Sequence, residues 1–352
     1  MNFTEKLHKR KTAKLLLLLL AVLCMLVVCL MVGSSRMSVS DCIAALFQRG
    51  TQSNSRIIWN IRMPRVLAAV IAGAGLSVSG LIMQTCLNNP MASPSTLGVS
   101  NAAVFGANLS IIAFAGGYLS TGNNLSAYAS AANPYRTSLS AFVFAVLSIL
   151  LILGLCRTRS FTPNVVVLAG IAIGSVWSAA TTVLQFYATD VGLSAAVIWN
   201  FGDLGRAVYK TDLIMFLVTA AGMLLFLTNA WKYNALLTGD AAAVSMGVNV
   251  NRLRFASLLA ASVITAVCVS FLGIIGFVGI ICPHVTKRII GEEHSFSIPF
   301  AALSGSLLLL LADTLSRGMG NGSALPVGAI TSLLGAPFFV AIVFSKRRHN
   351  AC

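Results

Sequence analysis

"IRMPRVLAAVIAGAG", residues 61–75, sets two permanent cations at the head of an apolar helix. Arg62 and Arg65 are three residues apart, close to one helical turn, so they share a face. Beyond them the run stays apolar and turns small: Ala68, Ala69, Ala72, Gly73, Gly75, Ser77, Ser79 and Gly80. Ala69, Gly73 and Ser77 recur every four residues, a spacing that lets helix backbones approach closely in lipid. This stripe speaks for packing and for no chemistry. Whether the run enters lipid decides the fold.

The composition answers that. The 352 residues are 57% hydrophobic and 9% charged, with a mean hydropathy of +0.88. About a quarter of the residues of an ordinary soluble domain are charged, so this chain is an all-α integral membrane protein. The net charge of +15 is spread in short clusters between apolar runs. That pattern belongs to membrane topology and excludes a nucleic-acid patch. Eight scattered cysteines contain no CxxC pair, and His8, His284, His294 and His349 are dispersed. Neither a disulfide framework nor a metal site is expected.

A spanning helix needs roughly 20 apolar residues. Such runs fall near 15–33, 64–86, 96–115, 138–156, 164–188, 211–230, 255–273, 298–316 and 326–344. The stretch 275–290 is shorter and interrupted by Gly and Pro, a broken crossing. The total is about ten crossings, some short or broken, in a single transmembrane domain over 15–345. Basic tails at 1–14 and 346–352 then lie in the cytoplasm. The first run is too long for a signal-peptide core and lacks an A-x-A site, so it reads as an uncleaved span. This topology puts fifteen of the 24 basic residues inside, and eight of the nine outside are arginines. Arginine favours bidentate carboxylate partners.

Three segments could carry function. In "NNPMASPSTLGVSN" (88–101), Asn89, Pro90 and Pro94 sit where proline breaks the helix. Irregular backbone at this depth survives only inside protein or beside a water-filled cavity, so the segment is either a tight re-entrant turn or the border of a pathway. In "LGIIGFVGIICPHVTKRIIGEEH" (272–294), Gly276 and Pro283 permit a bend, and His284 stands alone, as a hydrogen-bonded structural residue does. In "LLTGDAAAVSMGVNVNRLR" (236–254), Gly239 and Gly247 bracket a helix-competent stretch, Asp240–Met246, with the acid at its start. An exposed Ala/Val/Met helix calls for a cover, so this segment reads as a docking helix.

Missing motifs narrow the class. No G-x-x-x-x-G-K-[ST] occurs, so the chain cannot cradle ATP phosphates. The spans hold almost no acids, with Asp313 near the end of its helix, which argues against an ion-coupled secondary transporter. No Ser/His/Asp set or H-E-x-x-H supports a membrane enzyme.

The chain resembles the permease subunits of bacterial ABC importers for iron–siderophores, haem and vitamin B12. The likeness is carried by "RMPRVLAAVIAGAGLSVSGLIMQ" (62–84), "NPMASPSTLGVSN" (89–101), "VVVLAGIAIG" (165–174), "GIIGFVGIICPH" (273–284), "LADTLSR" (311–317) and "LPVGAITSLLGAPFF" (325–339). The resemblance implies a type II importer permease of ten helices in the bacterial cytoplasmic membrane. A second permease copy or paralogue, two ATP-binding subunits and an extracytoplasmic solute-binding protein complete such an importer. ATP and Mg belong to the ATPase, so this chain is a transport subunit without cofactor or bond chemistry. Its cargo would be a ferric siderophore first, with haem or cobalamin as alternatives.

Residue by residue, Arg62 and Arg65 match the family's R-x-P-R arginines, and Arg317 ends its A-D-x-x-x-R stretch. In relatives these face outward onto the binding protein, so exposed positions at the outer interface are expected. The stretch 235–252 matches the coupling loop, with Thr238, Gly239, Asp240, Ala241, Ala242, Val244, Met246 and Gly247 facing the ATPase. Thr162, Pro163 and Asn164 align near the inner gate, and Asn89, Pro90, Pro94, Gly276 and Pro283 join them as pathway or gate candidates. Ser93, Lys287 and Ala324 depart from the family's usual residues.

Overall fold

The computed structural model describes residues 3–33, 37–115, 133–158, 162–319 and 324–345. Most of the long 116–137 loop, Arg36, Arg159 and the basic end 346–352 lie outside them. The described chain is helical: α1 (Phe3–Met31), α2 (Val39–Leu46), α3 (Gln52–Ile57), α4 (Met63–Cys86), α5 (Val99–Asn108), α6 (Pro134–Thr158), α7 (Pro163–Phe186), α8 (Asp190–Asn200), α9 (Tyr209–Thr228), α10 (Ala230–Leu237), α11 (Asp240–Ser245), α12 (Val250–Leu272), α13 (Val278–Ile290), α14 (His294–Met319) and α15 (Val327–Ser345). Among the described residues, seven helices are long and apolar enough to cross a membrane, and shorter apolar helices cover Val99–Phe114 and Val327–Ala341. With α13, these match the ten expected crossings. The short helices α2, α3 and α8 fall where apolar runs are interrupted.

The chain forms two compact units. One comprises Met1–Leu81, Asp203–Ala230 and Ile275–Cys352, the other Ile82–Gly202 and Trp231–Ile274.

In the first unit α1 runs along α14. Its outward side, with Leu16, Leu17, Leu20, Leu23 and Val27 exposed, is a lipid-facing surface. Charges pin it at one end: Lys11 pairs with Glu293 at 2.5 Å, and Lys14 donates to the Ile289 carbonyl at 2.7 Å. Arginines hold the other end, at Cys29–Val32. The eighteen-residue rise from Lys11 to Cys29 is about 27 Å, close to the ~30 Å hydrocarbon thickness.

The small-residue stripe of α4 does what its spacing predicts. A Cβ on Gly73 would run into the Gly305 carbonyl, and one on Gly80 into that of Gly279. Ser77 donates to the Ala301 carbonyl at 2.6 Å, and Ser306 donates to that of Val70 at 2.8 Å. Pro283 explains the Gly279 contact: without an amide N–H it leaves the carbonyl four residues earlier free of its helical bond. Here that carbonyl points at α4.

In the second unit α5 packs on α6 and α7, and α12 packs on α6. Phe105, Phe144 and Trp177 join three helices, with ring centroids 5.1–5.5 Å apart, and Trp177 Nε1 donates to Ser148 Oγ at 3.1 Å. Gly98, at φ +70°, lies against Gly170 and Gly174 of α7, where a Cβ would meet backbone at 2.9 Å.

Candidate functional site

Arg65 lies in the first turn of α4 and Arg62 ends the helical turn just before it, but neither is exposed as expected. Arg62 is 3% exposed and donates through Nη1 to the carbonyls of Leu30 at 2.6 Å and Met31 at 3.1 Å. Arg317, in the last turn of α14, donates to the carbonyls of Val32 at 2.5 Å and Cys29 at 2.8 Å. The last four carbonyls of a helix have no intrahelical donor, and cations are favoured at that end of the helix dipole. Two guanidiniums therefore cap the end of α1 from two other helices. Gly33 makes room, since a Cβ there would lie 2.7 Å from Arg62 Nη2.

Asp313 completes the cluster. It is fully buried, accepts from Arg65 Nε at 2.6 Å and pairs with Arg317 Nη2 at 2.9 Å. Cys29 Sγ lies 3.5 Å from its second oxygen. A weaker contact reaches Asp203, 3.6 Å from Arg65 Nη1 and with its side chain 43% exposed. Arg206 ends the short 3-10 turn Leu204–Arg206. Burial pulls its guanidinium below the ordinary arginine value, and Asp203 opposes that shift. The three arginines are not solvent-facing as expected, because carbonyls and a buried acid already occupy them.

The helix-competent stretch between Gly239 and Gly247 forms a short helix, α11, from Asp240 to Ser245. Gly239 and Gly247 bracket it with φ of +104° and +83°, backbone that favours glycine. Ala243 is its inward contact, while Val244 and Met246 are exposed. Ala241 is exposed and Ala242 half-buried. Thr238 turns its hydroxyl back onto the Ala235 carbonyl at 2.8 Å. Asp240 binds Arg254 of α12 with both oxygens at 2.7 Å. The Arg254 Nε donates to the Cys86 carbonyl at the end of α4, at 2.8 Å. One buried guanidinium thus ties α11, α12 and the end of α4 together. Beside it, Tyr233 donates or accepts at 2.7 Å with Ser257, and burial pushes its phenol up. Sequence reasoning counted Arg254 only as a cytoplasmic cation. Its signal was an arginine fourteen residues after an acid, across one turn.

Pro163 joins this site. It lines a cavity of about 300 Å³ together with Thr85, Asn88, Leu237, Gly239 and Asp240. A gate candidate and the start of α11 therefore share one space, while Thr162 and Asn164 are exposed nearby in sequence. Asn89 lines a second cavity, of about 360 Å³, with Thr96, Gly98, Asn101, Gly170 and Gly174. Asn101 Nδ2 donates to the Gly174 carbonyl at 3.1 Å. Pro90 is exposed and Pro94 buried in the same irregular stretch. There Ser93 and Thr96 bond reciprocally, N to Oγ, at 2.9 and 3.3 Å.

Gly276 and Pro283 belong to the first unit. A Cβ on Gly276 would meet Ser332 Oγ at 3.2 Å, and Pro283 is buried within α13. His284 Nδ1 lies 2.9 Å from the Ile280 carbonyl, in the structural role its isolation suggests. Buried acids are less rare than the sequence reading allows. Besides Asp313, Asp212 in the first turn of α9 is buried, and neither of its oxygens has a hydrogen-bond partner. No cluster of three metal-ligating side chains occurs among the described residues.

Among the described residues, seven helices long and apolar enough to cross a membrane define a helical, membrane-spanning protein. The model of the FecCD transport family matches residues 17–345, so the chain belongs to that family. It is 43% identical to "Putative ABC transporter permease protein MJ0087" of Methanocaldococcus jannaschii over 336 residues, 95% of each chain. It is 35% identical to "Hemin transport system permease protein HmuU" of Yersinia pestis, over 95% of this chain and 97% of that one. The solved structure "An inward-facing conformation of a putative metal-chelate type ABC transporter" superposes with a TM-score of 0.82. It is 25% identical, over 95% of this chain and 99% of that one. The chain is a multi-pass permease of the ABC type.

Proposed function

We propose that this chain is the membrane subunit of an ATP-driven importer, passing a bulky metal chelate from a solute-binding protein to the cytoplasm. A ferric siderophore is the first candidate cargo, and haem and cobalamin are the alternatives. The observation that carries this reading is α11. It offers exposed Val244 and Met246 to a partner, and a bidentate ion pair and a backbone bond link it to α12 and α4. A push on α11 is passed to two spanning helices. Two separate ATP-binding subunits would supply it.

The path would run between two copies, or between this chain and a paralogue. The exposed side of α7 offers a surface for such a pairing, with Ser175, Ser178 and Thr182 set among exposed Ile171, Val176, Val183 and Phe186. In this scheme the N-terminal basic tail is cytoplasmic and the arginine-capped end of α1 is extracytoplasmic. Docking through Arg62, Arg65 and Arg317 would have to break bonds they already make. They therefore position the mouth, and the binding protein is met by other residues.

The test is co-purification of the ATPase on the permease. Val244→Asp with Met246→Asp should abolish it while leaving the permease monodisperse. Undiminished ATPase capture by that variant would remove α11 from the coupling role. Uptake of ferric siderophore, haem and cobalamin, measured side by side in vesicles of the complete assembly, then identifies the cargo.

A further inference from the structure

The segment between α1 and α4 contains an amphipathic helix that the transport scheme leaves unused. Ser38 caps the start of α2, accepting from the Asp41 amide at 3.1 Å. Cys42 and Ala45 turn inward onto Ile58, and Met31, Leu46 and Trp59 pack around them. Along the other flank Val39, Ile43 and Phe47 recur every four residues, 55%, 54% and 69% exposed. Asp41, exposed and turned well away from that line, marks the polar arc. A line of three bulky apolar side chains beside a polar arc marks a helix with one face in water and one face covered.

The height of α2 identifies the cover. Met31, against which it packs, ends α1. The apolar run Leu15–Met31 rises about 24 Å, against a hydrocarbon thickness of ~30 Å, so Met31 sits at the lipid boundary. The exposed apolar face of α1, with Leu23, Val27 and Val28, leads up to that level. Arg49 is exposed in the turn that follows α2 and Arg56 in the last turn of α3, and Trp59 packs at the base of α2. Tryptophan and arginine gather where chains give way to headgroups. We infer that α2 lies in the membrane–water interface, with Val39, Ile43 and Phe47 among the phospholipid acyl chains and Arg49 and Arg56 at the phosphates. Such a helix fixes the depth of the mouth and resists lifting of the end of α1.

Phe47→Trp, with the parent protein and its four tryptophans as baseline, tests this in nanodiscs without any partner protein. The phospholipid is brominated at carbons 6 and 7, or at carbons 11 and 12. The added emission should be blue-shifted and quenched at least twofold more by the shallower bromines. Ile43→Trp should behave alike, while Asp41→Trp on the polar side should stay unquenched. Equal quenching at positions 41 and 47 would overturn the orientation. A tryptophan at 47 that no brominated lipid reaches, and that is shielded only when a binding protein is added, would assign the face to that protein instead.

Discussion

Asp313→Asn is the sharpest test of what the arginines do. The carboxylate is fully buried and holds two guanidiniums at 2.6 and 2.9 Å. Removing one partner of a buried pair typically costs about 3–5 kcal/mol, because the remaining charge stays desolvated. Asparagine keeps the shape and one acceptor, which places the loss toward the lower figure. At 1.4 kcal/mol per tenfold, 3 kcal/mol is about a hundredfold in the folded ratio. Asp203→Asn is the control. Its contact with Arg65 is 3.6 Å long and its side chain 43% exposed, so about 0–1 kcal/mol is at stake. Unfolding of the purified permease in mixed micelles, followed by circular dichroism against denaturing detergent, measures both. Replacing the whole cluster (Arg65→Met, Asp313→Leu, Arg317→Met) should recover part of the loss, since it leaves no unpaired charge. If Asp313→Asn and Asp203→Asn unfold together, the arginines are not held by Asp313 as described and remain candidates for outward docking.

Gly80→Ala forces a Cβ into the Gly279 carbonyl and should destabilise by about 1–3 kcal/mol, as overpacking does, whereas Gly154→Ala, with nothing within 4 Å, should be neutral in the same assay. Arg254→Gln removes the bidentate hold on Asp240; ATPase capture should persist while uptake per ATP hydrolysed in vesicles falls severalfold, and unchanged coupling would count against α11 acting through α12. Asp212→Asn, at an acid with no hydrogen-bond partner, should leave ATP-driven uptake unchanged between pH 6 and 8, and a lost or shifted pH profile would point to a proton-coupled step.

The spanning helices were legible because lipid imposes one signal, a long apolar run, and α1, α4, α6 and α12 carry it without interruption. Short helices escaped for the converse reason: α2 and α8 are too brief and too mixed for any membrane rule to find. At the mouth, the sequence exposed the spacing of Arg62 and Arg65 but not their partners. Arg65 meets Asp313 across 248 positions, and Arg62 meets carbonyls, which every residue has. A charge near a helix end therefore looks alike whether it faces water or caps another helix. The short helix α11 was legible from its glycine brackets, because φ above +80° at Gly239 and Gly247 is a local demand. Arg254, which fastens it, acts through tertiary contact alone.

A permease driven by separate ATP-binding subunits moves nothing uphill by itself. Proteoliposomes holding the permease alone, or the permease with its ATPase and binding protein, should be given radiolabelled ferric siderophore, haem or cobalamin. Uphill accumulation of one of these is predicted only in the complete assembly and only with ATP. Accumulation by the permease alone, driven by an ion gradient, would contradict the account.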